Sequence, residues 1–375
     1  MEVRRLGLTS FRSYPQLDLD FSSGPQVLYG SNAAGKTNLL EAMVVLASGR
    51  SHRTSADAEL IAWEQPFARL EAEVVPGPDA PADRVEVTLS SGETGAARKR
   101  IKVNGVPRRA AALPAVLRAV LFAPEEMLLV VGSPSLRRGA LDALASQRWP
   151  LYGRALSTYG RALQQRNGLL RTIREGLAER DELRYWDGLL VDEGGTVVTQ
   201  RLALLEELSQ PLAAAHAEIA PSEGRLSLRY LTNAPAQEGE TPAEALRRRL
   251  AETAEKELWN GATLVGPHRD DLAFVIDDRE LASFASRGQQ RTAILALKLA
   301  ELDLLAGLDG RPPLLLLDDV FSELDPERRS HLVRRVSALP QAFITTTALG
   351  DLDAELVRSA AAWRVRPGSV EPEAA

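Results

Sequence analysis

The sequence predicts an α/β domain built to hold a nucleotide and interrupted by a mainly helical insertion. Three observations predict it. GSNAAGKT, residues 30–37, lies between an apolar strand pattern and a helical one. PPLLLLDD, residues 312–319, reads as a buried strand that ends on two acids. Strand and helix patterns alternate toward both ends of the chain, and the middle turns helical.

The bulk numbers permit this. A chain of 375 residues accommodates two domains, or one large domain with an insertion. With 45% hydrophobic and 26% charged residues it has the balance of a soluble globular protein, and no apolar run reaches membrane-spanning length. MEVRRLGLTSF lacks the apolar core of a secretory signal, so a cytoplasmic location is expected. The absence of cysteine excludes disulfides, thiolate metal sites and cysteine nucleophiles, and four scattered histidines argue against a histidine-rich metal site. A net charge of −6 argues against a generally basic coat but not against local basic patches.

Taken in order, Val3, Leu6 and Leu8, then Leu17, Leu19 and Phe21, alternate as strands, and Val27-Leu28-Tyr29 is the apolar strand before the loop. Thr37 to Ala47 has helical spacing. Ala68–Val75 and Arg84–Ser90 read as strands around the turn PGPDAPAD, and IKVNGVP as a tight hairpin, because Asn104-Gly105 suits a type I′ turn. Ser133 to Ala220 is helical but broken by glycines and sustains no heptad, so no long coiled coil is expected. Leu226–Leu231 returns to strand, Pro242–Trp259 is a helix, another helix starts near Arg287, and Leu314–Leu317 is a strand before a closing β/α/β pattern. The expected division is a nucleotide-binding domain at 1–132 and 222–375, with a helical arm at 133–221.

The chemistry concentrates in three places. In Gly30-Ser31-Asn32-Ala33-Ala34-Gly35-Lys36-Thr37-Asn38 the glycines let backbone N–H groups turn onto phosphates, Lys36 reaches the β- and γ-phosphates, and the Thr37 hydroxyl suits Mg²⁺. Asp318 is placed to hold that metal through water, and Asp319 to orient or deprotonate the attacking water. Ser286, Gly288 and Gln289 open a helix. Alone, such a start is an ordinary N-cap.

GxxxxGKT, then S-x-G-Q, then an apolar strand with DD and SELD behind it, resembles the ATP-binding-cassette head of SMC proteins and DNA-repair ATPases. LTSFRSY, KTNLLEA, FAPEEMLLVVGSPSLRR, GPHRDDL, SRGQQR and FITTT are similar to the RecF family of recombination mediators, over the whole chain. The resemblance implies an ATP-binding-cassette head with a β-subdomain and a helical arm. It further implies two heads packed face to face, with Ser286-Arg287-Gly288-Gln289 of one closing on the ATP at Lys36 of the other, so that ATP gates dimerisation and hydrolysis reopens it. Arg12, Arg50 and Arg53 are implied as phosphate contacts, Glu125 or Glu126 at the hinge position, and Asp325 facing the partner head. DNA, double-stranded and gapped or at junctions and bound without sequence specificity, the RecO and RecR proteins and, through them, RecA are the implied partners. Three departures stand out. Ala33 occupies a position where the family commonly has glycine, and Asp319 is one methylene shorter than the glutamate of many cassettes, which predicts slow turnover. Thr345–Thr347 stand where a switch histidine is usual.

Two basic stretches are candidate DNA contacts: Arg98, Lys99, Arg100, Lys102, Arg108 and Arg109 on the hairpin, and eight arginines between Arg137 and Arg174, which the acids of 175–193 can neutralise. Neither shows the interleaved aromatics of a single-strand reader. Competing readings are a transporter ATPase subunit, which would need an aromatic to stack adenine, and a scaffold with a structural nucleotide.

Overall fold

A computed structural model describes residues 1–373 apart from 78–79 and 93–96, so the centre of the expected PGPDAPAD turn lies outside the described residues. Along the chain run β1 (Glu2–Phe11), β2 (Tyr14–Asp20), β3 (Gly24–Tyr29), α1 (Lys36–Ser48), β4 (Phe67–Val75), β5 (Asp83–Ser90), β6 (Arg98–Val103), β7 (Val106–Arg108) and β8 (Ala119–Phe122). Then come α2 (Leu128–Val131), α3 (Pro134–Arg148), α4 (Pro150–Arg174), α5 (Leu183–Ile219), β9 (Leu226–Leu231), α6 (Pro242–Asn260), β10 (Asp271–Ile276), β11 (Arg279–Glu280) and α7 (Leu281–Phe284). The chain closes with α8 (Arg287–Gly307), β12 (Leu314–Asp318), α9 (Pro326–Ser337), β13 (Gln341–Thr346), α10 (Ala354–Ser359), β14 (Ala361–Arg366) and β15 (Ser369–Pro372).

Two compact units result. The first comprises residues 1–127, 215–221 and 294–375. Its antiparallel sheet has the order β2-β1-β4-β5-β6-β7, and its largely parallel sheet the order β15-β14-β3-β13-β12-β8. Strict alternation builds the antiparallel sheet: Ala68, Leu70, Ala72 and Val74 of β4 turn inward, while Arg69, Glu71 and Glu73 stay outside. Helix α1 lies against both sheets and is buried nearly all round, which its run of Leu39, Leu40, Met43, Val45 and Leu46 requires. The hairpin forms as the Asn104-Gly105 pair predicts, with φ of 51° and 77°.

The second unit comprises residues 128–214 and 222–293. It holds α3, α4, most of α5 and α6, but also the antiparallel sheet β11-β10-β9. This differs from the expected arm of 133–221, since residues 222–293 group with the helices. The reason is pairing: β9 is hydrogen-bonded to β10 from Leu226↔Ile276 to Leu231↔Asp271, α3 packs on β10, and α6 packs on α4. Within this unit the SPSLRR and GPHRDDL stretches meet. The Arg137 guanidinium donates to both carboxylate oxygens of Asp271 at 2.7 and 2.8 Å, and Arg138 donates to the Asp270 carbonyl at 2.8 Å. Among the described residues no helix is long and apolar enough to cross a membrane.

Candidate nucleotide site

The site lies at the C-terminal edge of the parallel sheet, the edge at which such sheets bind ligands. Strand β3 runs into the loop 30–35, and α1 opens directly after it. Gly35 precedes the helix at φ 110° with no side-chain cap, and no acid occupies the first turn. The first N–H groups and the positive end of the helix dipole therefore have no built-in anion. Two glycines are sterically required: a Cβ at Gly30 would stand 2.3 Å from the Val365 carbonyl oxygen, and one at Gly35 2.7 Å from the Tyr14 hydroxyl. Ala33 keeps the left-handed conformation natural to glycine, at φ 65°, which costs an L-residue about 1–2 kcal/mol.

Lys36 is buried, and its ammonium donates to the Gly30 and Ser31 carbonyls at 2.6 and 3.0 Å. Burial pulls its pKa below the ordinary lysine value, opposed by the nearby Asp319 and Asp318. Asp318 ends β12 and is buried. Its Oδ1 accepts from the Thr345 hydroxyl at 2.6 Å, and that hydroxyl oxygen accepts from the Asp319 backbone N–H at 2.9 Å. Thr345 sits on β13 in register with Asp318 on one side and Leu28 of β3 on the other, so one side chain organises both acids. Asp319 turns the chain at φ 52°, a left-handed outlier at the strand edge. Thr347 donates to Asp351 at 2.8 Å.

Arg12 and Arg53 converge on a residue that sequence reasoning missed. Glu41, one turn into α1 and fully buried, accepts from Arg12 Nε and Nη2 at 2.9 and 2.7 Å, from the Ser51 hydroxyl at 2.5 Å and from Arg53 at 3.3 Å. Burial pushes this carboxyl up, but Arg12, Ser51 and Arg53 outweigh it and hold it below the usual range. Arg53 also donates to Asn38 at 3.0 Å, Asn38 donates to the Ser13 hydroxyl at 2.9 Å, and Tyr14 donates to the Gly35 carbonyl at 3.1 Å. The LTSFRSY and KTNLLEA stretches are therefore one structure around the loop. Arg50 has an exposed side chain, and its backbone binds the Ser48 hydroxyl.

The residues expected as the signature, Ser286 to Gln289, open α8 in the second unit. The Ser286 hydroxyl accepts from the Gln289 N–H at 3.2 Å and the Gln289 side chain accepts from the Ser286 N–H at 3.0 Å, a reciprocal cap. Gly288 accepts through its carbonyl from Thr292 at 3.0 Å, and Ser286 and Arg287 are exposed. Asp325 caps α9 through the Arg328 N–H at 3.0 Å and pairs with the Arg328 guanidinium. At the expected hinge, Glu125 is exposed, whereas Glu126 pairs at 2.7 Å with buried Lys298, which also holds Glu301 at 3.2 Å. Tyr29 is engaged by Glu373 and by Arg364, whose guanidinium lies 5.6 Å from the ring centre.

The basic candidates separate. On the hairpin, Lys99 pairs with Asp57 at 2.7 Å and donates to the Gly49 carbonyl at 2.5 Å, so it braces β6 against the end of α1. Lys102 lies 3.4 Å from Glu86. Arg98, Arg100, Arg108 and Arg109 are exposed and make no ion pair among the described residues. In the arm, Arg137, Arg148 and Arg166 are tied to Asp271, Glu207, Asp187 and Glu257, so much of that basic stretch is neutralised internally.

The cradle fits a nucleoside triphosphate. It joins an uncapped helix start, glycines that admit no side chain, and a buried ammonium beside two acids. Comparison with known proteins points the same way. Residues 2–357 match the family model for the RecF/RecN/SMC N-terminal domain. The chain is 42% identical to the DNA replication and repair protein RecF of Herpetosiphon aurantiacus, over 99% of this chain and all of that protein. It is 38% identical to RecF of Bacillus subtilis, again over 99% of this chain and all of the relative. A solved structure of the recombination mediator protein RecF with ATP, in the RecFOR pathway, matches with a TM-score of 0.89 at 32% identity, covering 99% of this chain and 97% of that one. An Smc head matches in fold alone, with a TM-score of 0.52 at 14% identity. The chain belongs to the RecF family.

Proposed function

We propose that this protein is an ATP-gated DNA clamp of the RecF type, acting as a recombination mediator in DNA repair and replication restart. The observation that carries the reading is the cradle itself: Lys36 beside Asp318 and Asp319, at a helix start with no anion of its own. Bound ATP supplies the γ-phosphoryl bond that is cleaved and, with Mg²⁺, the charge that completes the site. The loop N–H groups from Gly30 to Asn38 hold the phosphates, and Lys36 leaves the Gly30 and Ser31 carbonyls to neutralise them. Thr37 and Asp318 suit Mg²⁺, the latter through water, and Asp319 orients the attacking water. Arg12 and Arg53, steered by Glu41, face phosphate. Because Asp319 has the short arm of aspartate and a strained backbone, hydrolysis is slow. Ser286, Arg287, Gly288 and Gln289 of a second copy close the site, with Asp325 at the seam.

The exposed Arg98, Arg100, Arg108 and Arg109 contact DNA backbone without reading sequence. Lys99 supports the hairpin from behind, while Lys102 stands on the same face as Arg98 and Arg100, 3.4 Å from Glu86. RecR and RecO are the partner proteins in this reading, and RecA the recombinase they load.

Light scattering of the wild type and Ser286→Arg with Mg·ATP, with ADP and without nucleotide tests it. Dimer with ATP alone, lost in Ser286→Arg, is expected. A monomer under every condition, with ATP bound, overturns ATP gating.

A further inference from the structure

Three threonines stand at the end of β13, and their hydroxyls do different things. Thr346 donates to the Ala348 carbonyl at 3.1 Å and Thr347 to Asp351 at 2.8 Å, so both serve the turn after the strand. Thr345 reaches the acids instead. It is fully buried, in register with Asp318 of β12 on one side and with Leu28 of β3 on the other. One residue further on, the Thr346 carbonyl accepts from the Gly30 N–H at 3.3 Å. Within two residues the end of β13 therefore holds both halves of the site. Its backbone holds the first residue of the phosphate loop, and one side chain holds the paired acids.

A hydroxyl has a single proton to donate and an oxygen that accepts. The Asp319 N–H can only donate, and it meets the Thr345 oxygen at 2.9 Å. The hydroxyl proton is then directed at Asp318 Oδ1, 2.6 Å away. The donors run one way, from the Asp319 backbone through Thr345 to the Asp318 carboxylate. With Oδ1 engaged, that carboxylate is fixed in rotation. Its Oδ2, which accepts no hydrogen bond among the described residues, is the oxygen left for metal-bound water. The same hydroxyl holds Asp319 at φ 52°, a conformation that an L-residue avoids unless its surroundings impose it. Both acids act on the charge of Lys36, so this arrangement stands at the phosphate end of the cradle.

We propose that Thr345 is a positioning residue for ATP hydrolysis, whose hydroxyl fixes the carboxylate of Asp318 and the backbone of Asp319 in the relation that turnover needs. It touches neither nucleotide nor water and acts through the two acids. The proposal rests on the ATPase reading above and adds the group that sets its geometry. Binding of the triphosphate depends on the loop N–H groups and Lys36, which Thr345 does not touch, so its loss should separate hydrolysis from binding.

The test sets Thr345→Val against Thr345→Ser in the full-length protein. Valine keeps the branched shape that suits a buried strand and removes the hydroxyl, whereas serine keeps the hydroxyl and removes the methyl group. Three quantities are read for each: kcat and KM for Mg·ATP in the presence of duplex DNA, affinity for Mg·ATP by calorimetry, and the midpoint of urea unfolding without nucleotide. Expected is a kcat about 10- to 100-fold lower in Thr345→Val with affinity within about twofold of wild type. Thr345→Ser should keep most of the wild-type kcat even though it too unfolds at lower urea. A threonine that merely packs the strand would make turnover follow the unfolding midpoint in both variants, and that result overturns the proposal. So does a wild-type kcat in Thr345→Val, or an equal loss of affinity and turnover in it; either leaves the ATPase reading standing. A wild type that binds Mg·ATP and never hydrolyses it overturns both.

Discussion

Each unit is organised around buried charge, and the two do it differently. In the second unit Arg201 is 2% exposed and spends its guanidinium on Asp142 at 2.8 and 2.9 Å, the Pro267 carbonyl at 2.8 Å, and the Tyr152 and Tyr230 hydroxyls at 3.1 and 3.2 Å. Tyr230 in turn donates to Asp270 at 2.6 Å. The network is closed. Beside the phosphate loop of the first unit, apart from the Lys298–Glu126–Glu301 cluster, the buried member is an acid, Glu41, and its cations reach outward: Arg12 and Arg53 keep 19% and 38% of their side chains exposed. A closed network holds a fold together, whereas one with cations at its surface holds donors ready for something else.

The largest expected effect tests the closed network. Arg201→Ala leaves half-buried Asp142 and the Tyr152 and Tyr230 hydroxyls without their cation and should lower stability by about 3 kcal/mol, read in urea unfolding, while nucleotide affinity at temperatures where the protein remains folded stays unchanged. A matching loss of nucleotide affinity would break the contrast. Next is pH. Burial holds His268 at about 4, with its Nδ1 2.6 Å from the Tyr159 hydroxyl. The unfolded chain binds a proton near pH 6.5 that the folded chain refuses, so stability is full above about 6.5 and falls as pH drops toward 4, by roughly 3 kcal/mol in all. His268→Gln should flatten that slope, and equal slopes would remove the histidine from the account. The smallest effect is on the open side. Arg53→Ala should change stability by less than about 1 kcal/mol, since Arg12 and Ser51 still hold Glu41, yet weaken ATP binding several-fold by calorimetry. A large stability loss without an affinity change would make Arg53 another structural arginine.

Short-range signals were the legible ones. The phosphate loop, the DD strand, the type I′ hairpin and the starts of α6 and α8 are each written in a few adjacent residues, and each appears where the pattern places it. What stayed hidden depends on partners far away in sequence. Leu226–Leu231 reads as a strand, but only pairing with residues 271–276 shows that it belongs with the helices. Glu41 reads as one acid on a helix until Arg12, Ser51 and Arg53 arrive from separate segments.

Sheet order also constrains how the protein can be made. Strand β3, which leads into the phosphate loop, has β13 on one side and β14 on the other, so both its neighbours come from residues 341–366. The Gln341 side chain closes the same seam by accepting from the Val3 N–H at 2.8 Å and donating to the Val3 carbonyl at 3.0 Å. During synthesis at about 5–20 residues per second, Val27 and Leu28 leave the ribosome many seconds before anything exists to pair with them. The second unit, encoded between, has its own sheet and charge network complete first. A chain cut short before residue 341 therefore carries the full phosphate-loop sequence with an unpaired apolar strand, and should behave as a chaperone client rather than as a smaller ATPase.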